Sequence, residues 1–186
     1  MRKLTVFNHI SLDGYFTDKD NSLNWVHMGN DPEFEQFVQG NAQVGGELIF
    51  GRITYQMMAS YWPTSMALEQ NPIVAERMNA LQKVVFSKTL HSATWQNTRL
   101  VKNNLTDEIL AMKQSGGKDM VIMGSGSLVS QLAQARLIDV YQLVVNPVVL
   151  GHGRTLFDGM TEKLQLKLTD SRVFKNGKIV LTYLAN

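Results

Sequence analysis

Between Met120 and Leu137 the chain runs through four apolar residues, Met120-Val121-Ile122-Met123, into Gly124-Ser125-Gly126-Ser127. From there Leu128, Val129, Leu132 and Leu137 follow at helical spacing. A fully apolar strand must be buried on both faces, and a helix leaving directly from its end covers one of them. This unit predicts a parallel α/β sheet, and the rest of the chain has to be compatible with one.

It is. Leu4 to Ile10 alternates and is rich in β-formers, so it reads as a strand running into the turn Ser11-Leu12-Asp13-Gly14. Thr17 to Asn24 is polar and reads as a loop closed by Trp25. Asp31-Pro32-Glu33 starts a helix: Asp31 caps free N–H groups, Pro32 suits the first position, and Phe34, Phe37 and Val38 form one apolar face. Glu47-Leu48-Ile49-Phe50 is a short strand, and Gly51-Arg52-Ile53-Thr54 leads from it into a helix carrying Tyr55, Met58 and Trp62.

Pro63 to Asn71 reads as a loop, and Lys83 to Phe86 as a strand ending at Ser87-Lys88. A weaker strand at Arg99-Leu100-Val101 precedes a helix for which Thr106 is the expected cap and Gly116-Gly117 the stop. Val140 to Val145 is a further strand before Asn146-Pro147, and Asn176-Gly177 marks a hairpin between two final strands. The expected fold is a three-layer α/β sandwich, mostly parallel, with a C-terminal antiparallel hairpin at one edge, as a single domain over residues 1–186.

In such a sheet, ligands bind beyond the carboxyl ends of the strands. Three turns qualify: Gly51 to Thr54, Ser87-Lys88 and Gly124 to Ser127. The last gathers backbone N–H groups at a helix N-terminus, glycines allow a pyrophosphate to approach, and Ser125 and Ser127 add hydroxyls. The alternative is a tight connection that needs glycine only for its dihedrals, and the motif alone leaves both open. Arg52 can fork onto a phosphate and Thr54 offers a hydroxyl, against an exposed arginine and an ordinary cap. Ser87-Lys88 is a weaker signal of the same kind.

If the three turns trace one dinucleotide, Arg52 or Lys88 suits a 2′-phosphate, which favours NADPH over NADH. Asp13, in the turn after the first strand, and Glu33, in the first turn of a helix, are the carboxylates near the reacting end. Each also has an ordinary reading, as a turn residue and as a helix-dipole charge.

Composition narrows the classes. The net charge is +2 with no dense basic run, so no nucleic-acid partner is expected. Cysteine is absent, which removes thiolate metal sites and cysteine nucleophiles. His9, His27, His91 and His152 show no ligand spacing, so no metal is expected. Gly-Ser-Gly-Ser lacks the spacing of a nucleophile elbow. Neither a signal peptide nor an apolar run long enough for a bilayer is evident, so the chain is expected to be cytoplasmic, without a membrane partner.

Four stretches together resemble a known family: Ser11-Leu12-Asp13-Gly14-Tyr15; Leu48-Ile49-Phe50-Gly51-Arg52-Ile53-Thr54-Tyr55; Val121 to Leu128; and Leu137-Ile138-Asp139 through Asn146-Pro147-Val148-Val149-Leu150-Gly151-His152-Gly153 to Leu156-Phe157. The chain resembles the dihydrofolate reductase-like superfamily from Lys3 to about Tyr183, and within it the branch of the reductase (C-terminal) domain of the bacterial bifunctional riboflavin biosynthesis protein. The resemblance implies a central sheet of about eight strands with NADPH across the strand ends. Gly51, Arg52 and Thr54 would take the adenosine phosphate and pyrophosphate side, Ser87 and Lys88 the adenosine, and Gly124, Ser125, Gly126, Ser127 and Leu128 the pyrophosphate. Hydride would pass to a C=N or C=O carbon of a pterin-like or ribosylaminopyrimidine-like substrate.

The branch commonly forms homodimers. Folate reductases have a cis Gly-Gly where this chain has Gly124-Ser125, and an acidic helix residue for which Glu33 is the nearest match. The deaminase domain usual in the riboflavin branch is not expected here, and Arg154 is the one cation noted for a ribose phosphate. The leading expectation is an NADPH-dependent reductase whose Glu33 or Asp13 anchors substrate and whose Trp25, Phe34 and Phe37 wall the pocket. Two alternatives are a non-catalytic NADP(H)-binding sensor or scaffold, and an oligomeric structural module.

Overall fold

Strand and helix alternate along the chain as the apolar pattern dictates. The computed structural model describes residues 1–26, 31–44 and 46–186. The strands are β1 (Leu4–Ser11), β2 (Tyr15–Thr17), β3 (Glu47–Gly51), β4 (Lys83–Phe86), β5 (Thr98–Val101), β6 (Met120–Ile122), β7 (Val140–Asn146), β8 (Arg154–Thr155), β9 (Leu166–Val173) and β10 (Ile179–Ala185). The helices are α1 (Pro32–Val44), α2 (Arg52–Tyr61), α3 (Ser65–Gln70), α4 (Pro72–Ala80), α5 (Leu105–Gln114) and α6 (Gly126–Gln134).

Eight strands form one sheet in the order β5-β4-β3-β6-β1-β7-β10-β9, and β2 pairs with β8 beside it. Every junction from β5 to β7 is parallel, and β10 and β9 add the antiparallel hairpin. Its turn is Asn176-Gly177, with Gly177 N–H donating to Phe174 O. The expected three-layer sandwich is therefore the observed one, with the eight-stranded sheet that the resemblance implies.

Apolar side chains fill both sides of the sheet. Ile109 and Met112 of α5 and Val129 and Leu132 of α6 pack with Leu4, Val6 and Ile122 on one face. On the other, Tyr55 of α2 and Val74 and Met78 of α4 pack with Leu48 and Phe50, while Phe34 of α1 packs with Val144 and Val180. Lys83 is a buried cation in this layer. Its Nζ donates to the carbonyls of Met78 (2.8 Å), Asn79 (3.1 Å) and Leu81 (2.6 Å) at the end of α4, and stands 4.5 Å from the Trp95 ring centre. Burial pushes this ammonium down to about 8.

Three expectations are corrected. Residues Pro63 to Asn71 are not a loop but contain α3, and α4 follows after the single non-helical residue Asn71. Thr64 caps α3 by accepting from Ala67 N, and Pro72 sits in the first turn of α4, where its missing donor costs nothing. Asn104, not Thr106, caps α5, its Oδ1 accepting from Thr106 N and Asp107 N. Leu137 lies past α6: Arg136 adopts φ +54° and Leu137 N–H returns to Leu132 O, so this leucine follows a Schellman stop instead of extending the helix.

Candidate active site

The carboxyl ends of β3 and β6 lie side by side, and two of the candidate turns meet there. Gly51 N–H donates to Gly124 O (3.2 Å), and Met123 N–H to Ile49 O (3.2 Å). Gly51 faces Ser125 so closely that a Cβ would fall 2.3 Å from Ser125 Oγ. Gly124 adopts φ +107°, and a Cβ on it would come within 3.0 Å of both the Phe16 ring and Thr54 Oγ1. Both positions therefore demand glycine, for close approach in one case and for the left-handed backbone in the other. The Gly124–Ser125 peptide bond is cis.

Ser125 caps α6 without using its side chain, so its Oγ stands beside Ser127 Oγ (3.0 Å) at the helix N-terminus. The first N–H groups of a helix have no intrahelical acceptor, and the dipole favours negative charge at that point. Thr54, expected to display a hydroxyl, is instead buried beneath Gly124. Arg52 is exposed in the first turn of α2 and donates to Gln56 Oε1 (3.1 Å).

The third turn opens onto the same edge. Ser87, Lys88, Lys102, Asn104, Leu128 and Gln131 are among the residues lining a cleft of about 380 Å³ next to α6. Ser87 Oγ accepts from Thr89 N and Leu90 N and so shapes its own turn. Lys102 was not among the expected residues, although it directly follows a strand end and the strand-end rule would have found it. An anion-favouring helix terminus, glycine turns too tight for side chains and a cleft with two lysines fit a phosphate-rich dinucleotide.

The other end of the edge is built from side chains. Asp13 accepts from Ser11 Oγ (2.6 Å), Leu150 N (3.1 Å) and Gly151 N (2.8 Å), clamping the segment after β7 to the turn after β1. The Ser11 hydroxyl and these N–H groups hold its carboxyl below the usual range. Glu33 is exposed and pairs with Arg172 of β9 (2.8 Å). Trp25 Nε1 donates to Ser22 O in the turn Asn24–Val26, while Phe34 and Phe37 pack against Phe174. The structure thus brings the glycine turns together and aligns Ser87, Lys88 and Leu128 on one cleft, but does not join Asp13 to Glu33.

Four residues outside the expected set occupy this second end. Asp31 Oδ1 caps α1 through Glu33 N and Phe34 N, and its Oδ2 accepts from Asn176 N (3.0 Å). Burial raises its carboxyl, but the N–H groups of Asn176, Phe34 and Glu33 outweigh that and lower it overall. Lys178 is buried, donates to Val26 O (2.8 Å) and lies 4.7 Å from the Phe34 ring centre; burial lowers its ammonium against the pull of Asp31. His9 of β1 and Asn146 of β7 meet at 3.3 Å on the α1 face. Among the described residues no group of three or more His, Asp or Glu residues could hold a metal ion, and His27 lies outside them. None of the described helices is long and apolar enough to cross a membrane.

Comparisons with known proteins agree with this fold. The family model described as the RibD C-terminal domain matches residues 2–180. The uncharacterised protein YyaP of Bacillus subtilis (strain 168) is 26% identical over 182 residues, spanning 98% of this chain and 94% of that protein. A crystal structure of a proposed riboflavin biosynthesis protein from Shewanella sp. PV-4 is 26% identical, with a TM-score of 0.76 and 99% of both chains covered. Dihydrofolate reductase from Enterococcus faecalis, solved with NADP(H), shares the fold at 15% identity and a TM-score of 0.59, covering 99% of this chain and 96% of that one.

Proposed function

The chain belongs to the family of the RibD C-terminal domain, and from that premise we propose that it is an NADPH-dependent oxidoreductase that transfers hydride to a C=N or C=O carbon of a small pterin-like or ribosylaminopyrimidine-like substrate. One observation carries the reading: the joined Gly51 and Gly124 turns at the N-terminus of α6 continue into a cleft lined by Lys88 and Lys102. The NADP(H) in the enterococcal enzyme of the same fold supports the choice of cofactor.

In this reading Gly124 to Leu128 hold the pyrophosphate, and Gly51 and Thr54 shape the turn beside it. Arg52, Ser87, Lys88 and Lys102 take the adenosine end and its extra phosphate. NADPH when bound supplies the hydride. The protein supplies orientation and exclusion of water. At the other end Asp13 clamps the loop over the site, Phe34 and Phe37 give α1 an apolar face, and Trp25 closes the rim. Glu33, paired with Arg172, lies at the mouth as a substrate anchor. The whole of residues 1–186 acts as one reductase domain in the cytoplasm. It pairs as a homodimer through the hairpin, where Leu168 and Val173 are 50% and 70% exposed.

The test is oxidation of NADPH against a panel of pterins, ribosylaminopyrimidines and aldehydes, with sedimentation equilibrium for the dimer. Turnover with at least one class is expected. One observation favours the competing reading, a non-catalytic NADP(H) sensor or scaffold: Asp13 and Asp31 are held ionised, so neither carries a proton to give. NADPH binding with no oxidation across the whole panel would decide for it.

A further inference from the structure

Gly124 and Gly126 are two of the four residues in the turn before α6, and such a turn does not hold one shape by itself. Glycine loses more conformational freedom on ordering than any other residue, and a ligand that must order its own site binds less tightly for it. No side chain caps the start of α6. On the β3 side the turn is held by Gly51 N–H, which donates to Gly124 O. On the other side it is met by the ribbon of β2 and β8.

The ribbon pairs Tyr15 with Thr155 and Thr17 with Arg154. Gly153 lets the two chains approach, since a Cβ there would fall 1.9 Å from Thr17 O. The ribbon reaches the turn on both flanks of Ser125. A Cβ on Gly124 would come within 3.0 Å of the Phe16 ring, and one on Gly126 within 3.4 Å of Thr155 O and 3.5 Å of Leu156 O. Phe16 is buried in the same apolar cluster as Leu128, Val129 and Leu156, so its ring is fixed by the core as well as by the turn.

One carboxylate closes the entry to the ribbon. Asp13 accepts from Leu150 N and Gly151 N, on the segment that leads into β8. It also accepts from Ser11 Oγ, which in turn accepts from Tyr15 N (2.9 Å) at the start of β2. The Tyr15 hydroxyl adds a bond to Gly151 O (3.3 Å). Asp13 is itself exposed, so its contribution is to hold the two chains at one spacing where they enter the ribbon.

We propose that Phe16 is the positioning residue that keeps the Gly124–Ser127 turn in the shape that receives a phosphate, and that Asp13 acts through the ribbon to set Phe16. The inference rests on the reading of this turn as the pyrophosphate site. Asp13 then serves the cofactor turn and not the substrate. The ordering of the glycines is completed by the protein before any ligand arrives.

The test is a double-mutant cycle on Asp13→Asn and Phe16→Leu. It is read by the affinity for NADPH, by the affinity for adenosine 2′-monophosphate, which has no pyrophosphate, and by backbone amide NMR signals without ligand. Asparagine at position 13 keeps one oxygen but turns N–H groups toward backbone donors. Leucine at position 16 stays apolar and is shorter than the ring. Each single change raises the Kd for NADPH about tenfold, and the double variant loses no more than the weaker of the two singles. Affinity for adenosine 2′-monophosphate is unchanged in all three. In Asp13→Asn the amide signals of Gly124 to Ser127 shift or broaden, while those of Lys88 and Lys102 keep their positions.

Losses that add in the double variant overturn the proposal. So does an unmoved set of Gly124 to Ser127 signals in Asp13→Asn, a readout that needs no substitution in the core. An equal fall in both affinities overturns it as well, because it marks a general loss of structure. These outcomes leave the pyrophosphate reading intact. Wild-type protein that binds no NADPH overturns that reading and this inference with it.

Discussion

The two ends of the sheet's carboxyl edge are made in different ways. At the β3–β6 end the surface is backbone: Gly51 against Ser125, Gly124 against Thr54, and the first turn of α6. At the β1–β7 end it is side chains, with His9, Asp13, Asp31, Asn146 and Lys178 contributed by elements far apart in the chain. In the proposed reading the first end takes what any phosphate presents, because N–H groups and a helix dipole are indifferent to the rest of a ligand. The second can distinguish substrates, since each of its groups has a fixed polarity and direction. Such a division suits a family that keeps one cofactor and changes its substrate.

The comparison can be broken at its rigid end first. Gly124→Ala puts a side chain on a φ of +107° and into the Phe16 ring and Thr54. A loss of about 3 kcal/mol of stability is expected, together with loss of NADPH binding. Denaturant unfolding and calorimetric titration measure the two, and a variant of wild-type stability would show that this turn is less constrained than its contacts imply.

Asp31→Ala strikes the side-chain end. It uncaps α1, releases Asn176 N–H and leaves Lys178 without its nearby acid, so Tm should fall by roughly 5 °C. The pH dependence follows from the lowered carboxyl. Because Asp31 binds its proton less readily folded than unfolded, its contribution is complete above the unfolded value of 3.8 and is lost as pH falls through the folded one. Asp13 behaves in the same sense. Acid melts of the wild type and of Asp31→Ala should therefore converge below that range, and parallel curves would contradict the linkage.

Arg52→Ala separates the two ends by function. It should weaken NADPH by about tenfold, the scale of one charge-assisted phosphate contact, and leave NADH nearly unaffected. Equal losses for both would remove the 2′-phosphate contact from the account. The smallest effect belongs to Glu33→Gln. Its pair with Arg172 is exposed on both sides, so stability should stay within about 0.5 kcal/mol of the wild type. Substrate affinity is the readout that matters there. A large loss in KM with no change in stability would confirm Glu33 as an anchor, and no change in either would leave it a surface ion pair.

The same contrast explains what was legible in the sequence. A strand, a glycine turn and a helix start are contiguous, so Met120 to Leu132 announced both the parallel sheet and the glycine turn at its carboxyl edge, and Asn176-Gly177 announced the hairpin. The loop reading of Pro63 to Asn71 missed α3, because a short helix of six residues capped by Thr64 leaves little periodicity to read. The β1–β7 end was out of reach for a stronger reason. His9 and Asn146 are 137 positions apart and meet only through the β1–β7 register. Asp31 was recognised as a cap, but its second oxygen is bound by the hairpin turn, which no local pattern foretells.

Calorimetric titration of the wild-type protein with NADPH and then with NADH tests the central claim most directly. The account predicts one NADPH site per chain, bound at least about tenfold more tightly than NADH and lost in Gly124→Ala. Heat of binding that is absent for both cofactors, or equal for both and retained in Gly124→Ala, would contradict it.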